Sequence, residues 1–272
     1  MTLKIGASVS MMFRELPLLD RFAAAADAGF DGVEIQFIDE GDAIAMAGAA
    51  RAARMPVVLV NLPLGDVMTG GDGLSGVPGR EAAFVAAAVR GLAAAAELGA
   101  SFVHIGPSRV PAAETRTNCL AAYSRNMETA LAISDSIGLD ATLLVEQSNP
   151  TDFPGALFDT VDEAAAMVRQ IGAPHFGLLF DLYHVAMAGG DIAAAWAAHG
   201  DLAPHVQFSD APGRHEPGTG NLDIFAAIAA IRASGYAGWF GAEYRPVADT
   251  VDGLDWLAAW RASDIQNIGA QT

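Results

Sequence analysis

The chain has 272 residues, 52% of them hydrophobic, with 15 basic and 32 acidic side chains. That much apolar material can bury a large core, which argues against a disordered chain. A net charge of −17 with no offsetting basic tract argues against a partner built on nucleic-acid phosphates or an anionic membrane surface.

The opening MTLKIGASVSMMF lacks a charged head before a long apolar core, so it does not read as a signal peptide. No apolar run approaches the ~20 residues needed to span a bilayer. The expected location is the cytoplasm. The single cysteine, Cys119, excludes an intrachain disulfide and a thiolate metal cluster. It lies in an alanine-rich stretch, where a packed or partly exposed free thiol is the expectation.

In chain order, short β-rich runs fall at 3–10, 32–38, 56–63, 101–107, 141–149, 176–184, 205–212 and 239–246. They are mostly apolar on both faces, as in a parallel sheet covered by helices. Helical runs separate them at 17–28, about 41–54, 80–98, about 115–138, 160–171, about 191–199, 223–234 and about 250–262. Gly29, Gly99, Gly138, Gly172 and Gly235 each follow a helical run, where a left-handed terminator is wanted. Thr160 and Glu163 match a capping box. Eight βα units without a linker predict one α/β domain over 1–272, a (β/α)₈ barrel. A doubly wound open sheet is the alternative.

Two connections are long. PLGDVMTGGDGLSGVPGR (63–80) is glycine-rich and unpatterned, which suits a lid or a plain flexible insertion. Its Gly71, Gly73 and Gly76 match a dinucleotide fingerprint, but no strand leads directly into the motif and no helix directly leaves it, so the match reads as chance. The second, DAPGRHEPGTGNLD (210–223), is rich in glycine, proline and charge.

Barrel active sites form at the C-terminal strand ends. Seven of the eight runs close there on strongly polar residues: Glu34, Asn61, His104, Glu146 with Asn149, Asp181 with His184, Gln207 with Asp210, and Glu243 with Arg245. Solvent exposure accounts for such residues singly but poorly for a set converging on one rim. Glu146 and Asp181 follow apolar triplets, where an unpaired carboxylate is costly to bury. Glu146, Asp181, Gln207 and Glu243, spaced 35, 26 and 36 residues apart, come from four neighbouring strands. Three carboxylates and an amide make an oxygen-rich cage for one hard divalent cation, Mg²⁺ or Mn²⁺. The competing reading is a metal-free rim of acids paired with Arg214 and Arg245.

HVQFSDAPGRHEPGTGNLD, followed by GWFGAEYRP, resembles the hydroxypyruvate isomerase family within the xylose-isomerase-like barrels. NLPLGD, VPGRE and FDLYH fit as well, and the resemblance runs from about residue 4 to about 257. It places the family's metal ligands on Glu146, Asp181, Gln207 and Glu243, and its two acid–base carboxylates on Glu146 and Glu243. It places substrate contacts of related epimerases on His184 and Arg214. His104 and Asn61 are further candidate substrate contacts, a buried supporting histidine being the plainer reading of His104. The chain departs from the family at Gln147-Ser148-Asn149, where members usually read Pro-Ile-Asn. It departs again at IGPSRVP, which is expected to bring Arg109 toward the mouth.

The resemblance implies a metal-dependent aldose–ketose isomerase acting on a small hydroxycarbonyl acid, converting hydroxypyruvate to tartronate semialdehyde. Two glutamates would shuttle a proton through a metal-stabilised enediolate. Arg214 is the leading partner for the substrate carboxylate, with Arg80, Arg109 and Arg245 as alternatives. Rival activities on the same site are a 2-oxo-tetronate isomerase, a ketose 3-epimerase and an inosose dehydratase. A DNA-repair endonuclease would want more histidines and a basic face, and a sugar-binding module could dispense with a catalytic glutamate. A homo-oligomer is compatible with the sequence.

Overall fold

The computed structural model describes residues 3–63 and 65–263. Eight parallel strands pair in sequence order and close into a barrel. They are β1 Lys4–Ser8, β2 Gly32–Ile35, β3 Val57–Asn61, β4 Phe102–His104, β5 Thr142–Glu146, β6 Phe176–Asp181, β7 His205–Phe208 and β8 Trp239–Ala242. Every predicted strand is present, and each is shorter than its apolar run. Pairing stops where side chains turn into loops: the run at 141–149 ends as a strand at Glu146 because Ser148, Asn149 and their neighbours bond to loop partners instead.

The helices are α1 Arg21–Asp27, α2 Ala43–Ala53, α3 Glu81–Leu98, α4 Arg116–Ser136, α5 Val161–Ile171, α6 Leu182–Met187, α7 Ile192–His199, α8 Ile224–Ala233 and α9 Asp255–Ala262. The sequence reading missed α6, which sits inside the apolar run assigned to strand six. Asp181 starts it by accepting the Tyr183 N–H at 2.8 Å. Thr160 caps α5 as expected, but Glu163 reaches back to the Asp159 N–H, not to that of Thr160.

Residues two apart on a strand share a face, and this parity sorts the barrel into tiers. One parity faces the helices: Val60, Val103, Leu143, Val145, Leu178, Phe180, Val206 and Phe240 belong to the large outer core. The other faces the barrel axis. Its lower tier holds an apolar plug of Leu59, Leu144 and Leu179, with Phe102 packed against it. Each fully buried leucine contributes roughly 1.5–3 kcal/mol. The next inward positions upward are Asn61, His104, Glu146 and Asp181. The plug is thus the floor of a polar cup at the C-terminal mouth.

The connection over 65–80 is tied down by its own hydrogen bonds. Arg80 bonds both carboxylate oxygens of Asp66 at 2.8 and 2.9 Å. Asp66 also accepts the Gly73 N–H, and Ser75 bonds Gly106 O and Ser108 Oγ. Buried Asn126 on α4 donates to Ser75 O at 2.9 Å. Gly71, Gly73 and Gly76 lie within this stapled loop, not between a strand and a helix, so the chance reading of the motif stands. Cys119 is buried and free.

Candidate active site

Eight of the residues singled out from the sequence gather in the cup. Glu146 Oε2 lies 3.5 Å from His104 Nε2, and Glu146 Oε1 lies 3.9 Å from His184 Nε2. Asp181 Oδ2 is 3.7 Å from both His184 Nε2 and an Arg214 guanidinium nitrogen. Arg214 donates to Glu243 Oε2 at 2.9 Å. Gln207 pairs in register with Asp181, and Asn61 with His104. Glu146 and Glu243 are therefore linked from β5 and the end of β8 through His184, Asp181 and Arg214.

Arg214 reaches the cup because its loop is over-determined. Asp210 accepts the N–H groups of Ala211, Gly218 and Leu222 at 2.8 to 3.0 Å. Arg214 N donates to Asp210 O, and Arg214 O accepts from Arg245 N. These bonds hold Arg214 at φ 57, a left-handed conformation rare for a side chain of this size. His215 contacts Arg245 O, and Glu216 accepts the Val247 N–H, so both brace the loop.

Burial shapes the charges. It raises the Glu146 carboxyl well above its usual range, and the nearby Asp181 and Glu243 charges push it further. It also raises Asp181, against the pull of Arg214. Glu243 is pushed up to about 7 by burial, partly countered by Arg214. Burial, with Arg214 nearby, pushes His104 down to about 3 and His184 well below its normal value, so both rings are neutral. Burial alone would lower Arg214, but Glu243, Asp181 and Glu146 outweigh it and hold the guanidinium charged.

The donor set fits a hard cation. Glu146 Oε1, Asp181 Oδ2 and Gln207 Oε1 are buried oxygens without hydrogen-bond partners. Glu146, Asp181 and His184 each bring a ligand-type atom within 4.8 Å of the others. Gln207 is oriented from below. Its Nε2 donates to Glu34 Oε2 at 2.6 Å, which turns its oxygen away from that carboxylate. Glu34 also accepts from Gln36 at 3.0 Å and contacts His205 Nε2 at 2.6 Å.

Several expectations need correcting. His205, the first residue of β7, faces the axis from the N-terminal end and is fully buried against Glu34. His199 is buried between Asp162 and Arg169. Arg109 does not enter the cup: it bonds the carbonyls of Val67 and Gly71 and lies 3.7 Å over the Phe153 ring. Arg80 is committed to Asp66, and the Arg245 side chain is exposed. Phe13 packs edge-on against Phe30 in the core. His205 had a legible signal, since it lies two residues before Gln207 on the same strand face.

Residues 22–260 match the xylose isomerase-like TIM barrel family. The chain belongs to that family. Among its relatives, a 2-oxo-tetronate isomerase of Cupriavidus necator is 35% identical over 93% of this chain and 97% of its own. The hydroxypyruvate isomerase of Escherichia coli is 32% identical over 95% of this chain and all of its own. A solved structure described as an AP endonuclease of family 2 from Brucella melitensis superposes with a TM-score of 0.88 at 32% identity, covering 96% and 99% of the two chains. Similarity to these isomerases extends across the barrel, and the chain is an isomerase of their kind. Among the described residues no helix is long and apolar enough to cross a membrane.

Proposed function

We propose that the protein interconverts the aldose and ketose forms of a small hydroxycarbonyl acid, with hydroxypyruvate and tartronate semialdehyde as the pair. The observation that carries this reading is the placement of Glu146 and Glu243 on one cup, with the free oxygens of Asp181 and Gln207 beside them. Glu146, Asp181, Gln207 and Glu243 would hold one Mg²⁺ or Mn²⁺. Such a cation supplies electrostatic stabilisation for the charge that develops on the substrate oxygens when a carbon-bound proton leaves.

The side chains do the rest. One glutamate takes the proton from carbon and the other returns a proton to the neighbouring carbon; the reverse reaction exchanges their roles. Burial raises both carboxyls, Glu243 to about 7, where either of its protonation states is accessible near neutral pH. Arg214 keeps Glu243 in place and has an unpartnered buried Nε for a substrate carboxylate. His184, His104 and Asn61 line the same cup and would contact substrate oxygens. The leucine plug seals the floor from water.

A four-carbon 2-oxo-tetronate is the second reading, favoured by the identity to the C. necator enzyme. The net charge of −17 opposes a DNA substrate.

The test is proton NMR in deuterated water with Mg²⁺ or Mn²⁺, offering hydroxypyruvate, 2-oxo-tetronates and free ketoses in parallel. Isomerisation of hydroxypyruvate with solvent deuterium at carbon, abolished by a chelator, is expected. Turnover of ketoses alone, or of none of these compounds, would overturn the reading.

A further inference from the structure

Asn149 lies three residues past β5 and is completely buried. Its side-chain oxygen accepts the backbone N–H groups of Thr151 at 3.1 Å and Asp152 at 2.8 Å. Its amide nitrogen meets Asp152 Oδ2 at 3.1 Å and His184 Nδ1 at 2.8 Å. Turning the amide over would set oxygen against carboxylate and NH₂ against two N–H donors. Only one orientation satisfies all four contacts. The Tyr183 hydroxyl donates to the same Asp152 oxygen at 2.6 Å and pins that carboxylate.

The amide nitrogen can only donate, so His184 Nδ1 must accept. A ring proton on Nδ1, in the other tautomer or in the imidazolium, would point at an NH₂ group. The neutral ring therefore carries its proton on Nε2. Among the described residues that Nε2 has no hydrogen-bond partner; the nearest carboxylate oxygens are 3.7 and 3.9 Å away. A protonated Nε2 has no lone pair to give a cation, although its position beside Glu146 and Asp181 would otherwise suit ligation.

We propose that Asn149 is a positioning residue that locks His184 as the Nε2–H tautomer, so that His184 donates a hydrogen bond to a substrate oxygen and stays out of the metal's ligand set. The substrate half of this statement rests on the isomerase reading above; the tautomer does not.

Long-range ¹H–¹⁵N correlation spectra of the full-length, ¹⁵N-labelled protein decide it. His184 is assigned by comparison with His184→Gln. The expected spectrum of the metal-free protein shows His184 protonated at Nε2 only, and saturating Mg²⁺ leaves that proton in place. A proton on Nδ1, or loss of the Nε2 proton on adding Mg²⁺, overturns the proposal. In Asn149→Asp the new carboxylate accepts, and the proton is expected to move to Nδ1; an unchanged tautomer there also counts against it. With hydroxypyruvate, Asn149→Asp should lose turnover by about 10- to 100-fold while Mg²⁺ affinity stays within about twofold. Comparable losses in both would mean a merely structural role. Should Asn149→Asp fail to fold, the wild-type spectra still decide. Should no substrate turn over, the isomerase reading fails and the tautomer result is untouched.

Discussion

Glu34 on β2 accepts the amide N–H of Gln207 on β7 at 2.6 Å, and that bond selects which atom of Gln207 has no protein partner. Glu34 is itself held by Gln36 and His205, and Gln36 is oriented in turn by the Ser8 hydroxyl. A neutral amide thereby presents an oxygen in a fixed direction without a positive group to hold it. Glu34→Ala removes the acceptor and is expected to weaken Mn²⁺ binding by about 10- to 100-fold. Glu34→Gln keeps one accepting oxygen and should lose far less. Titration calorimetry compares them; equal affinities in the two variants would show that Glu34 does not orient Gln207.

Glycine at 241 makes room for that carboxylate. A methyl group there would overlap Glu34 Oε1, on a strand paired in the barrel with β7. Gly241→Ala should cost about 1–3 kcal/mol of stability, read as a lowered thermal midpoint, together with weaker Mn²⁺ binding. Wild-type values for both would mean the interior yields more easily than its packing suggests.

The shuttle requires Glu243 to exchange a proton. Glu243→Gln keeps the shape and a partner for Arg214 but cannot take a proton, so turnover should fall by at least about 10²-fold with the fold retained. The measurement is the hydroxypyruvate rate alongside circular dichroism. A rate near wild type would remove Glu243 from the chemistry.

Proton and metal compete for the same oxygens. The folded-state value of Glu243 is raised from 4.5 to about 7, so its contribution to metal-free stability is present at low pH and is lost as pH rises through that window. Glu146 and Asp181 shift in the same direction. The thermal midpoint gained on adding Mg²⁺ should therefore grow between about pH 5 and 7.5. Paired melting curves with Mg²⁺ and with a chelator check this. A gain independent of pH would mean the cation binds elsewhere.

How much of this was legible in the sequence depends on the range of the signal. The eight strands were readable because both faces of each are buried, leaving unbroken apolar runs. Asp181 and Glu146 stood out because each interrupts such a run at its end. Helix α6 was not readable, because Leu182–Met187 continues the apolar run of β6 and only the Asp181 cap separates them. Arg109 looked like a mouth residue by its place after β4. Its partners, the carbonyls of Val67 and Gly71, lie about 40 residues away with no side-chain identity to announce them. Asn149 was noticed as a strand-end polar residue, but its role depends on which amide atom meets His184, and a sequence does not carry that.

The stapled loop at 63–80 has an evolutionary consequence. The acids proposed to carry the chemistry come from β5, β6 and the end of β8, whereas this loop and its anchors Ser108 and Arg109 belong to the β3 and β4 units. Reshaping that side of the mouth leaves the reactive half intact. On the proposed reading, a lineage could change its substrate by editing one flank of the barrel while inheriting the other unchanged.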